Sequence, residues 1–306
     1  MSVYVVGHKS PDTDSVTAAI AYAELMKAKG EDYIACINGN PNPETKMVLE
    51  KFGTAVPTKL SDATGKKIAL VDHSDLAQAP DNLSAGEVVA VVDHHKIGDV
   101  TTNNPIFFCA MPVGCTGTVL KVLYDLEGVK IQPKVAGMMM AAILSDTVNF
   151  KSPTCTDADK KAVAELKKIS GVTDTDGLFM EMLKAKSAVA GVAPMALLDR
   201  DYKDFDMKGK KVGVGQLELA TLDQVATMRD ALMGAMKEKK AGGRHSVLLM
   251  LTDVVKEGTD LMVLSDEPAL IESAFKGKLK NSSMWIAGMM SRKKQTIPNL
   301  QKAFGC

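Results

Sequence analysis

A chain of 306 residues exceeds the usual size of a single hydrophobic core, so we expect two domains. Hydrophobic residues make up 46% of the chain and charged residues 24%, which is ordinary for a soluble globular protein. The 37 basic residues balance the 37 acidic ones, and the resulting formal charge of zero argues against a broad nucleic-acid-binding face.

The cysteines and the apolar runs indicate where the protein resides. Five cysteines are scattered along the chain without a C-x-x-C pair, which is typical of a reducing cytoplasm rather than of a disulfide framework. The N-terminus enters a strand pattern directly, so we expect no signal peptide. The longest apolar stretch, roughly Val135 to Leu144, is too short to span a bilayer. We therefore expect a cytoplasmic protein without a membrane partner or a nucleic-acid partner.

The first half of the chain alternates short apolar runs with helical patterns. Strands are predicted over Val3–Val6, Asp32–Ile37, Ile68–Val71 and Val88–Val92. Helices are predicted over Ser15–Lys29, Pro43–Phe52, Thr116–Leu126 and Lys134–Leu144. This alternation predicts an α/β fold with a doubly wound parallel sheet, whose ligand site lies outside the carboxyl ends of the strands.

The second half changes pattern after two further helices, Thr156–Lys168 and Gly177–Lys186. The predicted elements are then a strand at Lys211–Leu217, a long helix at Thr221–Lys240, a strand pair at Ser246–Thr252 and Asp260–Leu264, a helix at Glu267–Phe275 and a strand at Met284–Ala287. Two consecutive strands predict a mixed sheet in a smaller α/β domain. We expect a first domain at 1–187, a small-residue linker at 188–193 and a second domain at 194–306.

Carboxylates and histidines cluster at the ends of the apolar runs of the first domain. They are His8, Asp12 and Asp14 in GHKSPDTDS, Asp72 in VDHSD, Asp93, His94 and His95 in VDHHKIGD, and Asp146 in ILSDTVNF. Most follow directly on a predicted strand, so one sheet edge would bring them together. Oxygen and imidazole ligands without a thiolate suit a pair of Mn²⁺-type ions, which usually serve hydrolysis of phosphoesters or phosphoanhydrides.

Each motif alone also has a simpler interpretation. The first could be a polar turn with an aspartate cap, in which Ser15 could also cap the following helix. Asp72 could be a turn former, His94 and His95 a surface pair, and Asp146 a helix-end aspartate. Because neighbouring side chains on an extended segment point in opposite directions, we expect one of the two histidines to bind metal and the other to face another target.

A compact basic cluster follows the last predicted strand. Arg292, Lys293 and Lys294 lie together in SRKKQ, and a guanidinium beside ammonium groups suits a multiply charged phosphate. The alternative is a solvated basic turn. Lys203, in DYKDF, would by itself be interpreted as a surface lysine.

These motifs together resemble the family II, manganese-dependent inorganic pyrophosphatases of the DHH phosphoesterase superfamily. GHKSPDTDS, VDHSD, VDHHKIGD, SDTVNFKSPT and SRKKQ occur in the order of that family and cover essentially the whole chain. The DHH triplet and the aspartates indicate only the superfamily, whereas SRKKQ narrows the resemblance to pyrophosphatase. The chain resembles the short form, without an inserted regulatory nucleotide-binding region.

The resemblance implies a role for each matching residue. His8 and Asp12 would bind one Mn²⁺, Asp14, His94 and Asp146 the other, and Asp72 would bridge both. His95 would face the substrate as a hydrogen-bond donor or proton source, and Lys203, Arg292 and Lys293 would bind the phosphate oxygens. Asp93 would orient a neighbouring group.

The resemblance also implies the chemistry and the partners. Pyrophosphate would bind in a cleft between the two domains, and a bridging hydroxide activated by the metals would attack it in line. Co²⁺ could replace Mn²⁺, Mg²⁺ would arrive with the substrate, and the protein would be a homodimer through its first domain.

Two other function classes fit part of the pattern. A different DHH phosphoesterase would hydrolyse short oligonucleotides, cyclic dinucleotides or polyphosphate, but nucleases usually show aromatic platforms, and this neutral chain has one Trp, five Tyr and eight Phe. A non-catalytic metal- or phosphate-binding regulator would be expected to lack a ligand or the basic cluster, and the sequence retains all of them.

Overall fold

The structure, a computed structural model, describes residues 2–306 and divides into two compact units, Met1–Lys186 and Ser187–Cys306. The finer domain bounds at 187 and 194 stay a prediction. Within the predicted linker, Val189 is buried in an apolar cluster of the second unit together with Leu197 and Leu217. None of the helices formed by residues 2–306 combines the length and hydropathy needed to cross a bilayer.

The first unit is built on a parallel sheet of six strands. The strands are β1 (Val3–Val6), β2 (Tyr33–Ile37), β3 (Thr58–Lys59), β4 (Lys67–Val71), β5 (Glu87–Asp93) and β6 (Phe107–Ala110), in the spatial order β3-β2-β1-β4-β5-β6. The helices are α1 (Thr13–Ala28), α2 (Pro43–Lys51), α3 (Thr116–Leu126), α4 (Pro133–Asp146), α5 (Asp157–Ser170) and α6 (Thr175–Lys186). This architecture confirms the predicted doubly wound fold.

The strand order places a topological switch point between β1 and β4. Strand β1 pairs in parallel with β2 on one side and with β4 on the other, so the chain winds away from this position in both directions. In open α/β sheets the crevice outside the carboxyl ends of two such strands is the usual ligand site. The segments that follow β1 and β4 begin with Gly7 and Asp72, which is where the sequence predicted the metal motifs.

The core of the first unit lies between this sheet and helices that are apolar on nearly every side. In α4 each residue from Val135 to Leu144 is buried, and α1 is buried over most of its length. A helix that is apolar all round needs neighbours on all sides, and α1 and α4 supply this for each other. The two helices carry Asp14 and Asp146, so core packing fixes the position of both carboxylates.

The second unit contains a mixed sheet of five strands. The strands are β7 (Tyr202–Met207), β8 (Lys210–Leu219), β9 (Ser246–Asp253), β10 (Gly258–Ser265) and β11 (Ser283–Ala287), in the spatial order β11-β10-β9-β8-β7. Strands β8 and β9 are parallel and the other pairs are antiparallel, which confirms the predicted mixed sheet. Helices α7 (Pro194–Asp199), α8 (Arg229–Ala241), α9 (Pro268–Phe275) and α10 (Ile297–Phe304) cover its faces.

The predicted long helix at Thr221–Lys240 was wrong in its first third. Thr221 forms a capping box with Gln224, as a helix start requires, but the turns from Leu222 to Met228 are 3-10 helix. The α-helix α8 begins only at Arg229. The backbone N–H of Leu222 donates to the Asp253 carboxylate at 3.1 Å, which ties this first turn to the end of β9.

Candidate metal centre

Strand β1 leads directly into the first predicted motif. The side chain of Asp12 accepts a hydrogen bond from the backbone N–H of Ser15 at 3.0 Å and so caps α1. The expectation that Ser15 could be the cap was wrong, because its hydroxyl instead accepts from the backbone N–H of His8 at 3.0 Å. This bond folds the loop back on the helix. It places His8 Nε2 at 3.6 Å from Asp12 Oδ2 and at 3.3 Å from Asp72 Oδ2.

Asp72 is the centre of the cluster. It directly follows β4 with a φ of 62°, a left-handed conformation that is rare outside glycine, and it is only 2% exposed. Its backbone N–H still donates to the carbonyl of Val92 at 2.9 Å, so the chain turns sharply without leaving the sheet. Oδ2 faces His8, whereas Oδ1 lies 3.4 Å from His94 Nε2 and accepts from the Thr116 hydroxyl at 3.1 Å. The two histidines therefore approach different oxygens of one carboxylate.

Asp93, at the end of β5, orients the two histidines that follow it. Its Oδ1 accepts the backbone N–H of His94 at 2.8 Å and of His95 at 3.0 Å, and it lies 3.0 Å from His95 Nδ1. His94 Nδ1 lies 3.0 Å from the carbonyl of Val113. Because a carbonyl oxygen only accepts, this nitrogen carries a proton and leaves Nε2 to face the carboxylates.

The expectation that His94 and His95 would point in opposite directions was wrong. Strand β5 ends at Asp93, so strand alternation does not extend to the pair. Their rings lie 4.1 Å apart, and His95 Nδ1 is also 3.6 Å from Asp72 Oδ1. They differ in exposure instead: the side chain of His95 is 53% exposed and that of His94 13%. Of the two, only His95 is open to solvent.

The N-terminus of α3 holds the carboxylate of Asp14. The backbone N–H groups of Thr116 and Gly117 donate to Asp14 Oδ2 at 2.7 Å and to Oδ1 at 3.1 Å. Helix N-termini favour negative charge in this way. His94 Nε2 lies 3.9 Å from Asp14 Oδ2, which links this carboxylate to the cluster around Asp72.

Asp146 is the last residue of α4 rather than a residue beyond it, and its helix carries it to Asp14. Cys115, which caps α3, lies with them and was missed by the sequence analysis, which took the site to contain no thiol. The available signal was its position one residue before the predicted helix at Thr116, where helix N-termini attract anions.

Three groups of side chains among residues 2–306 place possible ligand atoms within 4.8 Å of one another: His8 with Asp12 and Asp72, Asp72 with His94 and His95, and Asp14 with Cys115 and Asp146. Carboxylate oxygens and imidazole nitrogens predominate, which is the chemistry that Mn²⁺ accepts. Asp72 belongs to two of these groups. The residues present therefore fit divalent cations.

The raised pKa values of His8 and His94 show how strongly the carboxylates attract positive charge. Burial opposes protonation of His8, but hydrogen bonds and charge from Asp12 and Asp72 outweigh it and raise its pKa to about 10. Burial likewise opposes protonation of His94, and Asp72 with Asp14 raises its pKa to about 9. At these pKa values both imidazoles carry a positive charge at neutral pH, which offsets the negative charge of the carboxylates around them.

The carboxylates themselves divide into two kinds. Burial raises the pKa of Asp14 to about 7, reinforced by the charge of Asp72, and burial with the charges of Asp14 and Asp12 raises the pKa of Asp146 well above its usual range. Burial acts in the same direction on Asp72, but His8 and His94 outweigh it and hold its pKa well below the usual range. Asp72 is thus the carboxylate whose charged form the surroundings favour. The charged forms of Asp14 and Asp146 are disfavoured unless a cation lies beside them.

The remaining histidines lie around or away from this cluster. His73 is buried, its Nδ1 is 3.0 Å from the carbonyl of Val71, and its ring meets that of His8 edge to face at 6.4 Å. Burial lowers its pKa, so it packs as a neutral ring beside the site. His245 lies in the second unit, where it contacts Ser246 and Glu267.

The predicted phosphate-binding residues all lie in the second unit. Arg292 begins a short π-helical segment, Arg292–Thr296, and is only 8% exposed. Its Nη2 lies 2.6 Å from the carboxylate of Asp201, its Nη1 donates to the Asp201 carbonyl, and Nη1 also reaches the Val214 carbonyl at 3.4 Å. Lys203 lies opposite Val214 in the β7–β8 ladder. Lys203 and Arg292 therefore adjoin the same residue, whereas Lys293 is exposed on the segment itself.

Comparisons with known proteins agree with this architecture. The description "DHH family, N-terminal domain" matches residues 2–143 and "DHHA2 domain" matches residues 180–303. A protein of Archaeoglobus fulgidus, named "Probable manganese-dependent inorganic pyrophosphatase", is 51% identical over 99% of this chain and 98% of its own. The manganese-dependent inorganic pyrophosphatase of Methanothrix thermoacetophila is 48% identical over 99% and 98%.

A solved structure from Methanococcus jannaschii, titled "putative family II inorganic pyrophosphatase", covers 99% of this chain and 100% of its own, with a TM-score of 0.64 and 41% identity. The domain matches and the Asp- and His-rich edge of a parallel sheet define a metal-dependent phosphoesterase of the DHH class. With relatives of this identity over the full chain, the protein belongs to the family II, manganese-dependent inorganic pyrophosphatases.

Proposed function

We propose that this protein hydrolyses inorganic pyrophosphate to two phosphates at the cluster centred on Asp72. The observation that carries the proposal is the approach of His8 and His94 to different oxygens of the Asp72 carboxylate, at 3.3 and 3.4 Å. A carboxylate approached from both sides can bridge two cations, and sites with two adjacent cations stabilise both the attacking and the leaving oxygen of a phosphoryl transfer. The names of the full-length relatives support the same substrate.

The metal ligands follow from this arrangement and from the family resemblance. His8 and Asp12 would bind one Mn²⁺, and Asp14, His94 and Asp146 would bind the other, with Asp72 shared. When bound, the two ions would supply Lewis-acid activation of the attacking water and would offset the charge of the substrate. We propose Co²⁺ as a substitute for Mn²⁺, and Mg²⁺ as the ion that accompanies pyrophosphate.

His95 is the side chain of the first unit that we propose to face the substrate. Asp93 holds its Nδ1 at 3.0 Å, and the hydrogen bond raises the pKa of His95, which increases its protonated fraction near neutral pH. With Nδ1 engaged, Nε2 remains to donate to a phosphate oxygen or to deliver a proton to the leaving phosphate.

Three cationic side chains of the second unit would bind the phosphate oxygens. Lys203 and Lys293 are exposed and free to reach a ligand with their ammonium groups. Arg292 is buried, and Asp201 fixes the plane of its guanidinium. A fixed guanidinium recognises phosphate with little loss of side-chain entropy on binding, and its charge stabilises the transition state.

The test is phosphate release from metal-depleted protein before and after addition of Mn²⁺ with Mg²⁺. We expect Mn²⁺ to restore hydrolysis of pyrophosphate, and a short oligonucleotide to stay intact under the same conditions. The variant His95→Gln should lose most of the restored activity, whereas His245→Gln, a histidine of the second unit outside the site, should keep it. Inert pyrophosphate beside a cleaved oligonucleotide would refute the proposal and leave only the DHH class.

We also propose that the protein is a cytoplasmic homodimer through its first unit. Strand β6 forms an edge of the parallel sheet, and Phe107 and Phe108 on it are 47% and 45% exposed, which is unusual for large apolar side chains. The five cysteines are free thiols, as a reducing compartment favours. Light scattering should give twice the chain mass for the wild type and the chain mass for Phe108→Glu.

A further inference from the structure

A buried polar network lies beneath the segment that carries Arg292. We propose that Gln216 on β8, together with Thr252 on β9 and Thr259 on β10, positions the backbone of residues 288–292 and thereby the guanidinium of Arg292. The three side chains are 7%, 1% and 0% exposed and lie on the three inner strands of the sheet, near the turn between β9 and β10. The inference rests on the proposed function, because it assigns these residues to the phosphate-binding part of the same site.

Gln216 uses both donors and the acceptor oxygen of its side-chain amide. Its Oε1 accepts the backbone N–H of Arg292 at 3.2 Å, and its Nε2 donates to the carbonyl of Met290 at 2.9 Å and to the hydroxyl of Thr252 at 3.1 Å. One amide therefore holds two backbone groups of the segment and one side chain of the sheet. A buried amide with all these partners has a single favourable orientation.

The two threonines connect Gln216 to a further backbone group of the same segment. The Thr259 hydroxyl donates to the carbonyl of Met289 at 2.6 Å, so its oxygen is left to accept from the Thr252 hydroxyl at 3.0 Å. Thr252 in turn accepts from Gln216. The hydrogen bonds thus run in one direction, from Gln216 through Thr252 and Thr259 to Met289, and every hydroxyl proton is used.

The opposite side of the segment is held by Gln295. Its Oε1 accepts the backbone N–H groups of Met290 at 2.8 Å and Ser291 at 2.9 Å, and its Nε2 donates to the carbonyl of Gly288 at 2.8 Å. With both sides fixed, the backbone of the segment has little freedom. The guanidinium of Arg292 reaches Asp201 from a backbone that Gln216 holds in place.

The network is not needed for strand pairing, because β8, β9 and β10 pair through their own backbone ladders. Its hydrogen bonds go instead to the backbone groups of Met289, Met290 and Arg292. The network is also neutral throughout, so its effect on Arg292 should not change with pH between 6 and 9, unlike the effects of the histidines and carboxylates of the first unit.

The experiment compares near-isosteric variants of the full-length, Mn²⁺-loaded protein. Gln216→Met removes all three hydrogen bonds of the amide. Thr259→Val removes both hydrogen bonds of the hydroxyl, to Met289 and with Thr252, whereas Thr259→Ser keeps the hydroxyl. Ser246→Ala is the matched control, because Ser246 is a buried hydroxyl at the far end of β9. The readouts are kcat and KM for pyrophosphate at pH 6, 7.5 and 9, and hydrogen–deuterium exchange of residues 288–292.

We expect Gln216→Met and Thr259→Val to raise KM at least about fivefold, which corresponds to about 1 kcal/mol of binding free energy, with a smaller change in kcat. The increase should be equal at the three pH values, exchange of residues 288–292 should become faster, and Thr259→Ser and Ser246→Ala should behave as wild type. Folded Gln216→Met and Thr259→Val proteins with wild-type KM and wild-type exchange would overturn the inference. If the wild type fails to hydrolyse pyrophosphate, the proposed function fails, and exchange alone then decides whether the network positions the segment.

Discussion

Manganese binding at pH 7 is expected to release protons from the first unit. In the metal-free protein the pKa of His8 is about 10 and that of His94 about 9, so each holds close to one proton that a metal ion must displace. Asp14, with a pKa of about 7, holds about half of one, and burial also favours the protonated form of Asp146. The release on filling both sites is therefore expected to be at least about two protons.

Manganese affinity is expected to depend on pH, because protons and metal ions compete for the same groups. The four groups bind protons in the metal-free state and none when they are ligands, so manganese affinity should rise from pH 6 to pH 10. Each proton still displaced adds about a factor of ten per pH unit.

Calorimetric titration with Mn²⁺ in two buffers of different ionisation enthalpy measures the number of protons. The variant His94→Asn should release about one proton fewer. The matched variant His245→Asn, in the second unit, should release as many as wild type. Release of less than one proton by the wild type would show that the carboxylates do not hold the imidazoles protonated, and the electrostatic reasoning would then be wrong.

Three further predictions concern single side chains. Asp72→Asn keeps the left-handed backbone but removes the shared charge, and it should lower kcat/KM for pyrophosphate at least about 100-fold in steady-state assays. Asp204→Asn removes the negative charge and one of the two oxygens that accept from Arg244, at 2.7 and 2.8 Å, and should lower the unfolding free energy in urea by about 1 kcal/mol at pH 7. Because Arg244 holds the pKa of Asp204 below its usual value, this difference should disappear as the pH falls below about 4 and through the folded-state pKa. Met139→Ala should cost about 2–5 kcal/mol in the same assay, since Met139 is fully buried in α4, whereas the exposed Val255→Ala should change it by less than about 0.5 kcal/mol.

The central strands and the helices could be predicted from the sequence because their apolar residues form runs or helical periods. Strand β1 and helix α3 have the predicted bounds, Val3–Val6 and Thr116–Leu126. The missed strands β3, β6 and β7 lie at sheet edges. Edge strands bury little, so β7 (YKDFDM) carries three charged residues among six and has no apolar run to indicate it.

The sequence predicted which residues lie together at the edge of the sheet, but it did not predict several of their contacts. The positions of His8, Asp72 and His94 follow from strand ends, since parallel strands meet at one edge. The contact of Cys115 with Asp14 and Asp146 depends on how the loop after β6 enters α3, and no sequence period describes a loop. The burial of Arg292 against Asp201 depends in the same way on the antiparallel pairing of a strand that the sequence did not indicate.

The left-handed backbone of Asp72 has a conformational cost that the contacts of its side chain offset. A non-glycine residue with a φ of 62° costs on the order of 1 kcal/mol that glycine would avoid. Glycine at position 72 would avoid this backbone cost, but it would remove the acceptor of the Thr116 hydroxyl and the carboxylate that His8 and His94 approach. Stabilisation of this protein by mutagenesis should accordingly leave position 72 fixed and look for gains elsewhere.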